Sequence, residues 1–173
     1  MSQLIVRIAL VATMLSTPFV AAEAQQRPTA VETFKDWSVF ADDSPPAKVC
    51  YAATVPSESE ANREGIRRGD VFIFVSTYPE QDVRYEISVK LGYPTDPQKP
   101  PRLEIGNQRF TMISDGEEAW LETPEDDSKA VAAMRAGSKA TVIAVSGRGT
   151  TTTDTFSLLG FTASLKKVDD LCK

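Results

Sequence analysis

The sequence has no histidine and only two cysteines among its 173 residues. Histidine is the commonest general base in enzymes and the commonest transition-metal ligand in proteins, so its absence excludes a Ser-His-Asp or Cys-His catalytic site. The sequence also lacks a C-x-x-C pair and a G-x-x-x-x-G-K-[ST] phosphate-binding motif. We therefore predict no catalytic residues, no metal ligands and no cofactor-binding residues.

Basic residues are outnumbered by acidic ones. The chain has 19 Lys and Arg against 24 Asp and Glu, a formal net charge of -5. An acidic chain with scattered basic residues lacks the electrostatic footprint of proteins that bind nucleic acid or anionic lipid. We therefore expect no nucleic-acid partner.

The N-terminal segment has little charge and one short apolar stretch. Arg7 is the only charged residue before Glu23, and the apolar stretch runs from Ile8 to Leu15. This stretch is shorter than the roughly 20 residues that a membrane span needs. With Ala24 as the residue before cleavage, the pattern predicts a secretory signal peptide.

Export then sets the domain organisation. We predict a signal peptide over residues 1–24, a flexible N-terminal segment over 25–33 and a single β-rich domain over 34–173. The mature protein would have no membrane span. We predict a periplasmic monomer, with association with the outer membrane or secretion as the alternative locations.

Both cysteines, Cys50 and Cys172, lie in the exported part. An even number of cysteines in an oxidising compartment indicates a disulfide. A redox thiol is the alternative, but no neighbouring histidine is present to lower a thiol pKa. We predict an intramolecular structural bond between Cys50 and Cys172.

Most of the domain has the pattern of antiparallel strands. "VRYEISVKL" alternates apolar and polar residues, which is typical of a half-buried strand. The unbroken apolar run Val71 to Val75 predicts a central strand covered on both faces. "RLEIGNQRFTMI" predicts a hairpin that turns at Gly106-Asn107, with Leu103 opposite Phe110. A second hairpin is expected to turn at "SGRG".

Two helices are expected among the strands. "DDSKAVAAMRAG" predicts a short helix near 128–136, with Asp126, Asp127 or Ser128 as its N-cap and Gly137 at its end. The fold class is thus mainly β (α+β): an antiparallel β-sandwich or a partly open barrel, with this helix and a C-terminal one.

The C-terminal helix is expected near 160–171. One apolar stripe runs along it at helical spacing, which indicates a face packed on the sheet. The stripe consists of Phe161, Leu165, Val168 and Cys172. This places Cys172 on the buried face, where a disulfide would hold the helix.

Three features suggest binding sites, and each has a simpler interpretation. Arg68-Gly69-Asp70 spells an adhesion tripeptide, but Gly-Asp before an apolar strand is ordinary turn chemistry. Trp37 and Trp120 suggest a sugar-stacking platform, although tryptophans in a domain of this size belong more often to the core.

The third feature is an acidic stretch, "SDGEEAWLETPEDD". Its carboxylates suggest calcium, but the spacing of an EF-hand loop is absent. We expect a solvated acidic surface that leads into a helix N-terminus. The residues are Asp115, Glu117, Glu118, Glu122, Glu125, Asp126 and Asp127.

Five stretches of the domain are distinctive: "FKDWSVF", "KVCYAATVP", "FIFVSTYP", "ISVKLGYP" and "SGRGTTTTDTFSLLGFTASLKKVDDLC". In this order they resemble the bacterial invasion-associated locus B family of exported proteins. The resemblance runs from Phe34 to Cys172 and implies a β-rich periplasmic or envelope domain, linked in some pathogens to host-cell invasion. Some members have a further cysteine where this chain has Phe40 and Ala41, so a disulfide at that position is not transferred.

Two classes of function remain. The first is a non-catalytic envelope binding protein whose partner is an unknown envelope or host protein. The second is a small carboxylate-dependent hydrolase acting on cell-wall or glycan material. An enzyme should show a pocket with convergent, perturbed acids, whereas a binding protein should show an exposed apolar or aromatic patch. The binding residues are not identified by the sequence.

Overall fold

The fold is built on one antiparallel sheet, seen in a computed structural model that describes residues 30–43 and 48–173. The predicted signal peptide over 1–24 and most of the segment over 25–33 lie outside the described residues. The strands are β1 (Glu32–Phe34), β2 (Trp37–Asp42), β3 (Val49–Thr54), β4 (Glu58–Ala61), β5 (Phe72–Tyr78), β6 (Val83–Lys90), β7 (Arg102–Ile105), β8 (Gln108–Asp115), β9 (Glu118–Leu121), β10 (Lys139–Val145) and β11 (Thr151–Ser157). The helices are α1 (Pro124–Ala136) and α2 (Phe161–Leu171).

The strands follow the order β1-β2-β3-β5-β6-β9-β8-β7-β10-β11-β4 across the sheet. Strand β8 joins its two parts, because its first half pairs with β7 and its second half with β9. The sheet curves until Trp37 in β2 donates its indole N–H to the Ser157 carbonyl at the end of β11, at 2.9 Å. The prediction of a mainly β antiparallel fold with two helices is confirmed, and the sheet does not close into a barrel.

The core lies between the inner face of the sheet and the two helices. Helix α1 packs on β6 and β8, and α2 packs on β2 and β3. The Trp37 and Phe161 rings meet there with centroids 4.9 Å apart. The largest fully buried side chains are Trp37, Phe156, Phe161, Ile73, Ile87, Leu91, Leu103, Met112, Met134 and Leu165.

The β7–β8 hairpin has the predicted turn and register. Gly106 has a φ of +58°, which glycine adopts without a steric penalty. Leu103 pairs with Phe110, and Glu104 pairs with Arg109. The Arg109 and Glu104 charged groups are 3.4 Å apart on the surface, where such a pair contributes little to stability. This prediction is confirmed.

One strand prediction holds and one needs correction. Strand β6 has the predicted alternation, with Ile87 and Val89 buried and Tyr85 packed against the core and α2. A β-bulge, marked by the φ of +61° at Tyr85 and a register shift against β5, also lets Arg84 reach Asp169 of α2. Strand β5 is central, but Phe72 and Phe74 are only partly buried. The expectation that both of its faces are covered is therefore wrong.

The start of α1 also differs from the prediction. Thr123 is the N-cap, and its hydroxyl accepts a hydrogen bond from the Asp126 backbone N–H at 3.1 Å. Pro124 follows at the first helical position, where its fixed φ favours helix and its missing N–H costs nothing. Asp126, Asp127 and Ser128 consequently lie in the first turn instead of at the cap.

Helix α2 matches its prediction. The side chains of Phe161, Leu165 and Val168 are buried on the sheet. The helix begins after Gly160, whose φ is +91° and whose missing Cβ would lie 1.8 Å from the Phe34 carbonyl oxygen. Only glycine fits at this turn, which sets α2 against the β1–β2 hairpin.

Candidate functional site

The two cysteines are joined in the structure. Cys50 lies fully buried in β3, Cys172 caps the C-terminus of α2, and their Cα atoms are 5.9 Å apart. A second attachment lies close by, where Asp169 of α2 accepts hydrogen bonds from the Tyr85 hydroxyl at 2.5 Å and from Arg84 at 2.8 Å. Both attachments fix α2 on the inner side of the first part of the sheet.

Aromatic side chains lie on the opposite, outer face of the same strands. Because successive residues of a strand point to opposite faces, burial of Cys50 directs Tyr51 outward. Tyr51 pairs across the ladder with Phe40, and the two rings stack at 5.0 Å with 13° between their planes. Phe74 of β5 lies 6.0 Å from Tyr51, and Phe72 lies 5.7 Å from Phe74. We call Phe40, Tyr51, Phe72 and Phe74 the aromatic row.

A shallow depression of about 270 Å³ adjoins the aromatic row. Its lining includes Tyr51, Phe74 and Tyr78. Burial raises the pKa of the Tyr51 and Tyr78 hydroxyls, and nearby Asp42 and Glu86, respectively, raise it further. These hydroxyls are therefore neutral at physiological pH. The surface offers apolar contact and neutral hydroxyl groups, with one charge of each sign, Lys90 and Glu118, at the β6 and β9 side of the depression.

The outer face continues past the aromatic row to Trp120 of β9. Trp120 pairs with Ser88 and with the exposed Ile113, and it is partly exposed itself. Its neighbours in β9 point into the core, so alternation forces the indole outward. Trp37, by contrast, is fully buried. The core prediction is right for Trp37 and wrong for Trp120, and the two rings do not share a platform.

Arg68 of the Arg68-Gly69-Asp70 tripeptide points inward. Its guanidinium donates to Asp154 at 2.7 Å, and a second, shorter contact makes the pair bidentate. Asp154 is 0% exposed and also accepts from the Ser59 hydroxyl at 2.7 Å. The hydrogen bond to Asp154 raises the pKa of Arg68. An adhesion motif would need this guanidinium outside, so the turn interpretation fits the structure better.

One member of the acidic stretch is not on the surface. Asp127 is 6% exposed and accepts a hydrogen bond at 2.8 Å from the Ile87 backbone N–H, just beyond the end of the β6–β9 ladder. Burial raises its pKa to about 6, with further contributions from Glu86 and Asp126. The expectation of a fully solvated acidic surface is wrong for this residue.

The described residues also bear on metals and membranes. Over 30–43 and 48–173, no group of three or more His, Cys, Asp or Glu residues is placed to hold a metal ion. Within the same part of the chain, neither helix has the length and apolarity to cross a membrane.

The aromatic row was not predicted from the sequence. Its members lie in three strands, and only the sheet order places those strands side by side. A usable signal was present, because strict alternation around a buried Cys50 directs Tyr51 outward. The unbroken apolar run in β5 concealed the rest, since it gave no sign of which face is open.

Comparison with known proteins agrees with this architecture. The family model described as invasion associated locus B (IalB) protein matches residues 37–169. The crystal structure of invasion associated protein B from Bartonella henselae is similar in fold, with a TM-score of 0.54 and 19% identity over 81% of this chain and 95% of that chain. No curated protein matches the sequence. The chain belongs to the invasion associated locus B family.

Proposed function

We propose that this protein is an exported, non-catalytic binding protein of the bacterial envelope that holds a protein partner on its aromatic row. The carrying observation is the row itself: four partly exposed rings on the outer face of β2, β3 and β5. Aromatic side chains are enriched in the centres of protein interfaces. An open apolar sheet face is expensive to leave in water, which favours a partner that covers it.

The ring geometry favours a protein over a glycan. Phe40 and Tyr51 stack on each other, and the planes of Tyr51 and Phe74 are inclined at 66°. The surface is therefore ridged, and ridges suit apolar side chains that fit between them. A sugar would need a flat exposed ring with polar groups at its rim, and the single outward indole, Trp120, lies on another strand.

Export is supported by two features. The sequence predicts a signal peptide, and the Cys50–Cys172 bond is of the kind that persists in oxidising compartments. We propose that residues 34–173 act as one monomeric domain in the periplasm or at the outer membrane. Its family, and the name of the similar Bartonella protein, suggest a role in invasion.

A carboxylate-dependent hydrolase is the second candidate. The observation that favours it is a pair of carboxyl groups with raised pKa values, Glu86 and Asp127. Asp127 accepts a hydrogen bond from the Ile87 N–H and does not line the depression beside the aromatic row, which favours binding over catalysis. Turnover of peptidoglycan, glycans, esters or peptides by purified protein, lost in Asp127→Asn or Glu86→Gln without loss of fold, would make this candidate the better one.

The binding proposal is tested by crosslinking inside cells. A photoreactive amino acid replaces Tyr51 in one strain and Leu159 in another. Leu159 is a matched control because it is a 65% exposed apolar residue in the turn before α2, away from the aromatic row. We expect irradiation to give a discrete crosslinked protein from position 51 and none from position 159.

A second variant makes the result specific. In the strain with the crosslinker at position 51, Phe74→Ser should weaken the crosslinked band, because it removes the neighbouring ring from the row. Equal crosslinking from both positions would contradict the proposal, as would crosslinking to glycan alone.

A further inference from the structure

A second surface lies where four loops meet at one end of the sheet. They are the β4–β5, β6–β7, β8–β9 and β10–β11 connections, and they enclose a groove of about 820 Å³. Four arginines line it: Arg63, Arg67, Arg68 and Arg148. We call this surface the arginine groove. It is larger than the depression beside the aromatic row, and none of the four rings of the row lines it.

The floor of the arginine groove is polar and tightly bonded. Arg68 is fixed by its bidentate contact with the buried Asp154. Beside this pair, the Tyr93 hydroxyl lies 2.5 Å from the hydroxyl of Thr152, which is 1% exposed. These bonds leave the floor rigid and already satisfied, so a ligand would be recognised mainly by the rim.

The rim has unbalanced positive charge. Arg63, Arg67 and Arg148 are exposed, and none of them forms an ion pair with a residue in the described part of the chain. Arg68 is neutralised by Asp154, and Glu117 is the one acidic residue in the lining. Three positive charges less one negative charge leave +2, on a chain whose net charge is -5. Such a local reversal of sign attracts anions.

A close backbone contact holds the rim in place. The Gly69 N–H donates to the Gly92 carbonyl at 2.8 Å, and a Cβ on Gly92 would lie 2.4 Å from the Gly69 carbonyl oxygen. Only glycine at position 92 allows the β4–β5 loop to approach β6 this closely. The loop then brings Arg63 and Arg67 to the same groove as Arg148.

We propose that the arginine groove is a binding site for a small molecule that carries a phosphomonoester. A phosphomonoester has a charge of about -1.5 to -2 at neutral pH, which matches the charge of the rim. Guanidinium groups bind phosphate oxygens in bidentate geometry. The volume lies in the range of small-molecule sites, about 300 to 1,000 Å³, so there is room for the group to which the phosphate is attached. This site is separate from the aromatic row and from the function proposed for it.

The test is calorimetric titration of the mature protein with glycerol 3-phosphate. The key variant is Arg67→Gln/Arg148→Gln. Its matched control is Lys139→Gln/Lys166→Gln, which removes the same charge from exposed residues outside the groove. We expect the wild type and the control to bind alike, and the Arg67/Arg148 variant to bind at least tenfold more weakly. Arg63→Gln provides a second loss-of-binding variant if the double variant does not fold.

Two further titrations define the ligand class. Succinate carries a similar charge without phosphate, and we expect it to bind at least tenfold more weakly than glycerol 3-phosphate. Vesicles of phosphatidic acid in phosphatidylcholine, compared with phosphatidylcholine alone, present the same phosphomonoester from a lipid. Binding to those vesicles together with glycerol 3-phosphate points to a lipid headgroup, and binding to glycerol 3-phosphate alone points to a soluble ligand. The proposal is overturned if neither phosphate probe binds, if succinate binds equally well, or if the Arg67/Arg148 variant binds like the wild type.

Discussion

The aromatic row and the arginine groove are supported in different ways. The row lies on regular strands, and the disulfide and α2 lie beneath it on the inner face of β3. The groove lies on loops, and the buried Arg68–Asp154 pair lies beneath it. Apolar recognition thus depends on strand alternation, whereas charge recognition depends on one buried ion pair that positions a loop. If the two surfaces have separate supports, a mutation that removes one support should change mainly the surface that lies above it.

The largest expected loss of stability comes from Cys50→Ser/Cys172→Ser, which removes the disulfide beneath the aromatic row. The bond closes a sequence separation of 122 residues, and constraint of the unfolded chain over such a loop is worth about 4 to 5 kcal/mol in the chain-entropy model. Urea unfolding should show a loss of stability approaching that size. Hydrogen exchange should rise in α2 and β3, since the bond joins them.

The exchange pattern decides whether the two supports are separate. Loop residues 62–69 at the groove should keep their protection in the double serine variant. Equal loss of protection in that loop and in α2 would show that the fold opens as one unit and that the comparison is wrong.

The second-largest loss of stability is expected from Asp154→Ala, which removes the ion pair beneath the arginine groove. This change leaves the Arg68 guanidinium, with a side chain 13% exposed, without its partner, and breaking a buried pair costs about 3 to 5 kcal/mol. Urea unfolding measures the loss, and hydrogen exchange should locate it in the β4–β5 loop instead of in α2.

The double variant Arg68→Met/Asp154→Leu is the control for this prediction. Two apolar side chains leave no buried charge, so the free energy of unfolding should return most of the way to the wild-type value. The geometry of the arginine groove need not return with it. A single Asp154→Ala variant as stable as the wild type would mean that the pair does not support the loop.

The other buried carboxyl group belongs to Asp127, which accepts a hydrogen bond from β6 among the regular strands. We expect its titration to make the stability of the fold depend on pH. Its pKa is about 6 in the fold against 3.8 ordinarily, so between these values the folded protein binds a proton that the unfolded chain has released. Stability contributed by this group is therefore fully present below pH 4 and is lost as the pH rises through 6, with a slope of at most about 1.4 kcal/mol per pH unit.

Asp127→Asn removes this dependence while keeping an oxygen that accepts from the Ile87 N–H. The difference in unfolding free energy between wild type and variant should change between pH 4 and 6 and be flat above 7. Glu86 also has a raised pKa, caused by burial, and the part of its contribution that does not depend on the Asp127 charge cancels in this difference. Glu122→Gln, at an exposed position, is the control and should leave the slope unchanged.

The same contrast explains what the sequence predicts and what it does not. The β7–β8 hairpin follows from Gly106-Asn107, and the packing face of α2 follows from the spacing of Phe161, Leu165 and Val168, because each signal lies within a short segment. The aromatic row requires the strand order, and the arginine groove requires four loops to converge. Arg68 shows the limit most clearly, since its partner Asp154 lies in a distant strand and its own tripeptide suggests a different role.

The smallest expected effect tests the aromatic row without a partner, by a double-mutant cycle on Phe40→Ala and Tyr51→Ala. The rings stack at 5.0 Å, and such pairs are worth about 0.5 to 1.5 kcal/mol beyond their buried area. Urea unfolding of the two single variants and the double variant measures this coupling.

Because the contact is apolar, the coupling should be the same in low and high salt. Binding of glycerol 3-phosphate by the arginine groove should weaken over the same range, because ions screen exposed charges. A coupling energy near zero would mean that the two rings are neighbours without a stabilising contact. A coupling energy that falls with salt would mean that charge also acts at the aromatic row, and the proposed difference between the two surfaces would be wrong.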